Sequence, residues 1–136
     1  MNAAFWFRTG AILSLIGVAA GTFGAHGLES LLPTSNGTRL PEGILSAERR
    51  LVDFKIGVDY QLTHALALLA LGLAASRLPR PGRAATVAGW SFIFGIVVFS
   101  GSLYAIGLTG IARLGMITPI GGAAFFVGWI SLAMMA

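Results

Sequence analysis

The chain has 136 residues, a length that suits a single domain, and 56% of them are hydrophobic while only 10% are charged, a balance far from that of ordinary soluble proteins. The net charge is +4 and the mean hydropathy +0.84. Its basic residues stand between long apolar windows, where they set topology and meet anionic headgroups rather than nucleic acid. No cysteine is present, which excludes disulfides, thiolate nucleophiles, iron–sulfur clusters and zinc–thiolate sites.

No Asp, Glu, Lys or Arg occurs between Arg8 and Glu29, between Asp59 and Arg77, between Arg83 and Arg113, or from Arg113 to Ala136. A hydrocarbon core of roughly 30 Å needs about 20 apolar residues of helix, and each window supplies that length or nearly so. The chain therefore reads as an all-α bundle of four transmembrane helices, with spans at about 5–25, 58–75, 87–108 and 116–135. Arg8 ahead of an apolar run raises a cleavable signal peptide, but the run ends near Gly24-Ala25-His26 without a clear small-x-small site and is as long as a span, so it is read as one.

In the first span, Gly17 and Gly21 form a small-xxx-small pair, and with Gly24 they make a face that another helix can approach closely. The polar stretch from Glu29 to Gly43, broken by Pro33, Asn36-Gly37 and Pro41, is a loop. Asn36-Gly37-Thr38 matches a glycosylation pattern that acts only in a eukaryotic secretory setting. From Ser46 to Ile56 apolar and charged residues alternate at helical spacing. The segment is either a short amphipathic helix in the headgroup region before the second span or a solvated extension of that span.

Two prolines in the segment from Arg77 to Arg83 enforce a tight turn, so spans two and three are antiparallel neighbours. The fourth span begins between Leu114 and Pro119: either Thr118 caps it with Pro119 at the first helical position, or Pro119 kinks a helix that starts earlier. Gly121 and Gly122 add small packing positions. The three arginines of the turn, with Arg8 on the same side, favour cytoplasmic termini. Trp6, Trp90 and Trp129 all map to that side and are expected as lipid-interface anchors.

Polar residues collect toward the opposite face: His26 ends span one, Tyr60, Gln61 and His64 open span two, Ser100, Ser102 and Tyr104 lie late in span three, and Thr118 opens span four. Tyr60, Gln61 and His64 share one helical face by their three- and four-residue spacing. Intramembrane polar groups turn away from lipid and find partners, so these eight residues are expected to converge, with His26 and His64 approaching one another or sharing a partner. The cluster reads as a hydrogen-bonded latch or as a site for a lipid, a quinone or a proton. Two histidines without a third ligand make a weak metal signal, so no metal or cofactor is assigned. Ser100 or Ser102 with His64 is the one conceivable nucleophile pair, and no base–acid set completes it.

Several of these residues carry a family resemblance. Gly21-Thr22-Phe23-Gly24-Ala25-His26-Gly27-Leu28, Gly57-Val58-Asp59-Tyr60-Gln61 with His64-Ala65-Leu66-Ala67-Leu68-Leu69, Phe99-Ser100-Gly101-Ser102-Leu103-Tyr104, Leu108-Thr109-Gly110 and Ile117-Thr118-Pro119-Ile120-Gly121-Gly122 resemble the domain-of-unknown-function 423 family. That family is similar to the transmembrane protein 256 group of animals and includes small bacterial inner-membrane proteins. The resemblance covers all four spans in order and implies a multi-pass protein of the inner (plasma) membrane, without naming an activity. The loop around Pro33 to Gly43 is longer than the family's usual connection. Two functions compete: a structural or accessory protein that self-associates or joins a larger membrane complex through its glycine faces, and a protein that binds or transports a lipid, quinone or other small amphiphile at the His26 and His64 cluster.

Overall fold

The computed structural model describes residues 2–32, 40–78 and 82–135. Among these residues are four helices long and apolar enough to cross a membrane. Helix α1 spans Ala3–Leu31, α2 Ala47–Ser76 and α3 Arg83–Thr109. A 3-10 turn, Ala112–Met116, leads into α4, Thr118–Ala133. The Asn36-Gly37-Thr38 pattern and the two prolines of the turn between α2 and α3 lie outside the described residues.

The apolar windows explain why these segments are helices: in hydrocarbon, a helix satisfies every backbone group internally. Asn2 caps α1 by accepting from the Phe5 N–H at 3.0 Å, and Ser46 caps α2 by accepting from Arg49 at 3.3 Å. Helix α2 continues unbroken from Ala47 through Ser76. The segment from Ser46 to Ile56 is thus no separate amphipathic helix but the extension of span two, because nothing between Leu51 and Tyr60 breaks the helical ladder. Pro119 occupies the first turn of α4, where a missing N–H costs nothing. Thr118 does not cap that helix, since its hydroxyl is engaged elsewhere.

Helix α2 is the centre of the bundle. Helix α1 lies along one side of it through glycines: a Cβ at Gly10 would stand 2.7 Å from the Ala65 carbonyl oxygen, at Gly17 2.7 Å from Leu62 and at Gly24 2.8 Å from the Phe54 ring. These residues recur at the seven-residue interval of a continuous contact seam. Gly21 is looser, 3.3 Å from Val58. Helices α3 and α4 interlock reciprocally: the Phe125 ring enters the space above Gly95, and the Phe92 ring the space above Gly128. Gly121 lies against the Phe99 backbone, whereas Gly122 makes only ordinary contact at 3.8 Å. Small residues let backbones approach, and dispersion then holds helices that no hydrophobic force drives together in lipid.

At the bundle end away from the termini, Gly110 closes α3 in a left-handed conformation, φ 76°. Gly43, φ 81°, faces it across an antiparallel bridge between Ile44 and Ile111. The bridge bonds run from Leu45 N–H to the Gly110 carbonyl at 2.9 Å and from Ala112 N–H to the Gly43 carbonyl at 3.0 Å. Arg50 adds to the clasp, donating through Nε to the Gly107 carbonyl at 2.9 Å and through Nη2 to that of Leu108. A guanidinium is well suited to capping free carbonyls at a helix C-terminus. Arg49 pairs with buried Asp53 at 3.2 Å one turn along.

The other end is tied by Trp6. Its ring is 1% exposed, packs over Gly89 and meets Trp90 edge to face at 6.0 Å. Trp90 remains half exposed, as an interface anchor would be. Trp6 does not: Gly89 leaves a slot that only a large ring fills, so it belongs to the core.

Candidate functional site: a polar ladder and a lateral groove

The expected single cluster divides into separate rungs. The outermost joins α3 to α4: the Ser102 hydroxyl donates to the Phe99 carbonyl at 2.8 Å and lies 2.7 Å from Thr118 Oγ1. With its one proton spent on the carbonyl, Ser102 must accept from Thr118.

The next rung is built on Gln61, 3% exposed. Its amide nitrogen donates to the Leu13 carbonyl on α1 at 2.8 Å, and its Oε1 accepts from the Tyr104 hydroxyl on α3 at 2.8 Å. The approach to Leu13 exists because the residue one turn later is Gly17, where a Cβ would stand 3.4 Å from the Gln61 nitrogen. One amide thus links three helices.

The third rung is His64. Its Nδ1 lies 2.7 Å from the Tyr60 carbonyl, and the indole N–H of Trp129 donates to its Nε2 at 3.1 Å. An indole nitrogen is only a donor, so Nε2 accepts and the proton sits on Nδ1: the partners specify one neutral tautomer. The ring stacks on Phe125 at 3.5 Å, with an interplanar angle of 11°.

Several sequence expectations are corrected by this geometry. His26 is exposed on a π-helical stretch, Phe23–Leu28, and no hydrogen bond joins it to His64 among the described residues. Trp129, half exposed like Trp90, is also the partner of His64, because burial of an imidazole nitrogen demands a donor. His64 does not open its span at the outer face. It packs at 5.7 Å from Phe92 and on Phe125, which fills the space at Gly95, near the middle of α3. Neither Ser100 nor Ser102 bonds to His64, and the fully buried Ser100 hydroxyl has no partner among the described residues. No group of three or more metal-ligating side chains forms among the described residues.

One feature escaped the sequence reading. Between α2 and α4 lies a groove of about 490 Å³, lined by Asp59, Tyr60, Thr63, His64, Phe99, Gly122, Phe125, Phe126 and Trp129. Tyr60 is 44% exposed and Phe126 74%, so the groove opens sideways, toward lipid. The rings of Tyr60 and Phe99 lie 4.4 Å apart, tilted by 31°. Phe99 comes from a π-helical turn, Ile96–Ser100, and such turns inside helices recur at functional sites. The only available sequence signal was the recurrence of aromatic residues at three- and four-residue spacing in span four, which lipid contact explains as readily.

The family described as a protein of unknown function, DUF423, matches residues 20–122. Relatives cover most of the chain. The UPF0382 membrane protein YwdK of Bacillus subtilis is 41% identical over 93% of this chain and 91% of its own length. A UPF0382 membrane protein of Haemophilus influenzae is 38% identical over 85% and 80%. The UPF0382 inner membrane protein YgdD of Escherichia coli is 33% identical over 95% and 86%. No solved structure matches. With four apolar helices and membrane-protein relatives aligned over most of its length, the chain is an integral membrane protein and belongs to the DUF423 family.

Proposed function

We propose that this protein binds a small membrane amphiphile in the lateral groove between α2 and α4. The observation that carries the reading is the groove itself: about 490 Å³, inside the range of roughly 300–1,000 Å³ typical of small-molecule sites, with aromatic walls and the exposed polar side chains of Asp59, Tyr60 and Thr63 along its α2 side. Relative to the sequence expectation the site moves from His26 and His64 to His64, Tyr60 and Asp59. The buried polar rungs act as latches that hold the groove's walls in register, since Gln61 bonds to α1 and α3 and His64 to its own helix and to α4.

The accessory-protein reading loses its first argument, because the glycine face of α1 is occupied by α2 of the same chain. One observation still favours it. A Cβ at Gly101 would meet nothing within 4 Å, and with Ala105 one turn on it leaves a small-residue step on α3 open to a second helix. A homo-oligomer or a larger membrane complex would use that step.

The same reading puts the bundle in the plasma membrane with the turn between α2 and α3 in the cytoplasm. The arginines there and the inner-membrane naming of the Escherichia coli relative support it. Gentle-detergent purification with mass spectrometry of every retained species separates the two functions. A stoichiometric amphiphile lost on Phe126→Ala supports the groove. A stoichiometric protein lost on Gly101→Leu supports the accessory role, and a bare monomer contradicts both.

A further inference from the structure

A second recess, of about 360 Å³, lies between α1 and α2 on the outward side of the lateral groove, and Asp59 lines both cavities. Glu29, Lys55 and Asp59, all exposed, are its charged residues. The one salt bridge among the described residues joins Arg49 to Asp53, so Lys55 does not pair with Asp59 although the two stand one helical turn apart, a spacing at which opposite charges can meet. At a rise of about 1.5 Å per residue, Asp59 and Lys55 lie about 26 and 32 Å from Ser76 at the other end of α2. The hydrocarbon core is roughly 30 Å thick, so both charges stand where it gives way to headgroups.

The order of the charges along the bundle selects the ligand. Gly24 lies against Phe54 and Gly21 against Val58, a register that puts Glu29 level with Arg49 or Arg50. Glu29 is then about 8 Å outward of Lys55, and Asp59 about 6 Å inward of it. From outside inward the recess offers a carboxylate, an ammonium and a carboxylate, and then the aromatic groove begins. A phosphoethanolamine headgroup complements the outer two, its ammonium donating to Glu29 and its phosphate accepting from Lys55. Two carboxylates against one ammonium disfavour a headgroup whose phosphate charge nothing balances. Asp59 falls at the level of the glycerol. Were the glycerol oxygen nearest the phosphate esterified, only acceptors would face this carboxylate, whereas a free hydroxyl there donates to it. In such a single-chain lipid two carbons separate the phosphate from the ammonium on one side and from the hydroxyl on the other, the same succession as Glu29, Lys55 and Asp59. On the basis of the groove-binding reading, we infer that the occupant is a single-chain ethanolamine phospholipid, its ammonium at Glu29, its phosphate at Lys55, its free glycerol hydroxyl at Asp59 and its acyl chain in the groove between α2 and α4.

The test uses the full chain in a nonionic detergent, with native mass spectrometry of phospholipids of one acyl chain type added singly. Single-chain phosphatidylethanolamine should bind about ten times more tightly than single-chain phosphatidylcholine, whose quaternary nitrogen has no N–H to donate, the worth of one hydrogen bond to a charged group. It should exceed single-chain phosphatidylglycerol and two-chain phosphatidylethanolamine by a similar factor. Glu29→Leu should erase the preference over phosphatidylcholine, and Asp59→Leu the preference over the two-chain lipid. Lys55→Leu should weaken every phospholipid. The fold of each variant is verified by an unchanged melting temperature without added lipid. Equal binding of the three headgroups, or a preference that survives Glu29→Leu, overturns the headgroup assignment. Equal binding of one-chain and two-chain lipids, or a preference that survives Asp59→Leu, overturns the single-chain assignment. In either case the groove-binding reading stands as long as Phe126→Ala lowers the binding of every lipid. If Phe126→Ala lowers none of them, that reading falls, and the placement of the acyl chain with it.

Discussion

Trp129 donates its indole N–H to Nε2 of His64 across 3.1 Å, and this bond couples the last helix to the central one where few backbone contacts join them. Removing the donor leaves a buried acceptor unpaired. Trp129→Phe is expected to destabilise the protein by about 1–3 kcal/mol, the cost of an orphaned buried polar group. Thermal unfolding in detergent measures it. An unchanged melting temperature would show that the bond holds nothing, leaving His64 to be explained by the groove alone.

The contrast between Gly10 and Gly101 tests the packing account. A Cβ at Gly10 would stand 2.7 Å from a backbone oxygen that cannot swing aside. Gly10→Ala must therefore force α1 and α2 apart, at about 1–3 kcal/mol. Gly101→Ala has open space and should be neutral, or stabilising by up to about 1 kcal/mol through helix propensity. Equal melting temperatures for both variants would contradict the seam between α1 and α2.

Gln61 and Tyr104 invite a double-mutant cycle. Their hydrogen bond of 2.8 Å should couple Gln61→Leu and Tyr104→Phe by about 0.6 kcal/mol, the mean for hydrogen bonds between membrane helices, and by no more than about 1.7. Additive single effects would mean that the pair acts independently. Gln61→Leu should cost more than Tyr104→Phe, since it also breaks the bond to α1.

Arg50 clasps the end of α3 with two donors. Arg50→Lys keeps the charge but not the fork, so it should restore only part of the stability lost in Arg50→Ala. Hydrogen exchange at the amides of the Gly110 turn, faster in both variants, reports the loosened clasp. Equal protection in all three proteins would contradict the cap.

Topology is directly accessible because the chain has no cysteine of its own. Single replacements Glu42→Cys and Arg77→Cys should react with an impermeant maleimide from opposite sides of the membrane, Glu42→Cys from outside intact cells. Labelling of both from one side contradicts the four-span crossing. The reverse pattern contradicts the arginine-based orientation.

The existence and order of the spans were legible in the sequence, because length and apolarity are local properties and a bilayer admits little but helices for such windows. The glycines of span one were legible as a packing face for the same local reason. The depth of His64 was not. Counting from an expected start at residue 58 put it near the outer surface, whereas α2 begins at Ala47 and so carries His64 toward the middle of the bundle. The bond of Trp129 to His64 was not legible either: the interlock of Phe125 with Gly95 and of Phe92 with Gly128 sets the register that brings the indole to the imidazole. His26 shares the polarity of the cluster but not its orientation, because rotation about a helix axis is decided by which face packs. Apolar length alone determined that this chain crosses a membrane. Which polar groups meet, and that a groove remains between α2 and α4, followed only from helix register and rotation, which are set by contacts between residues far apart in the chain.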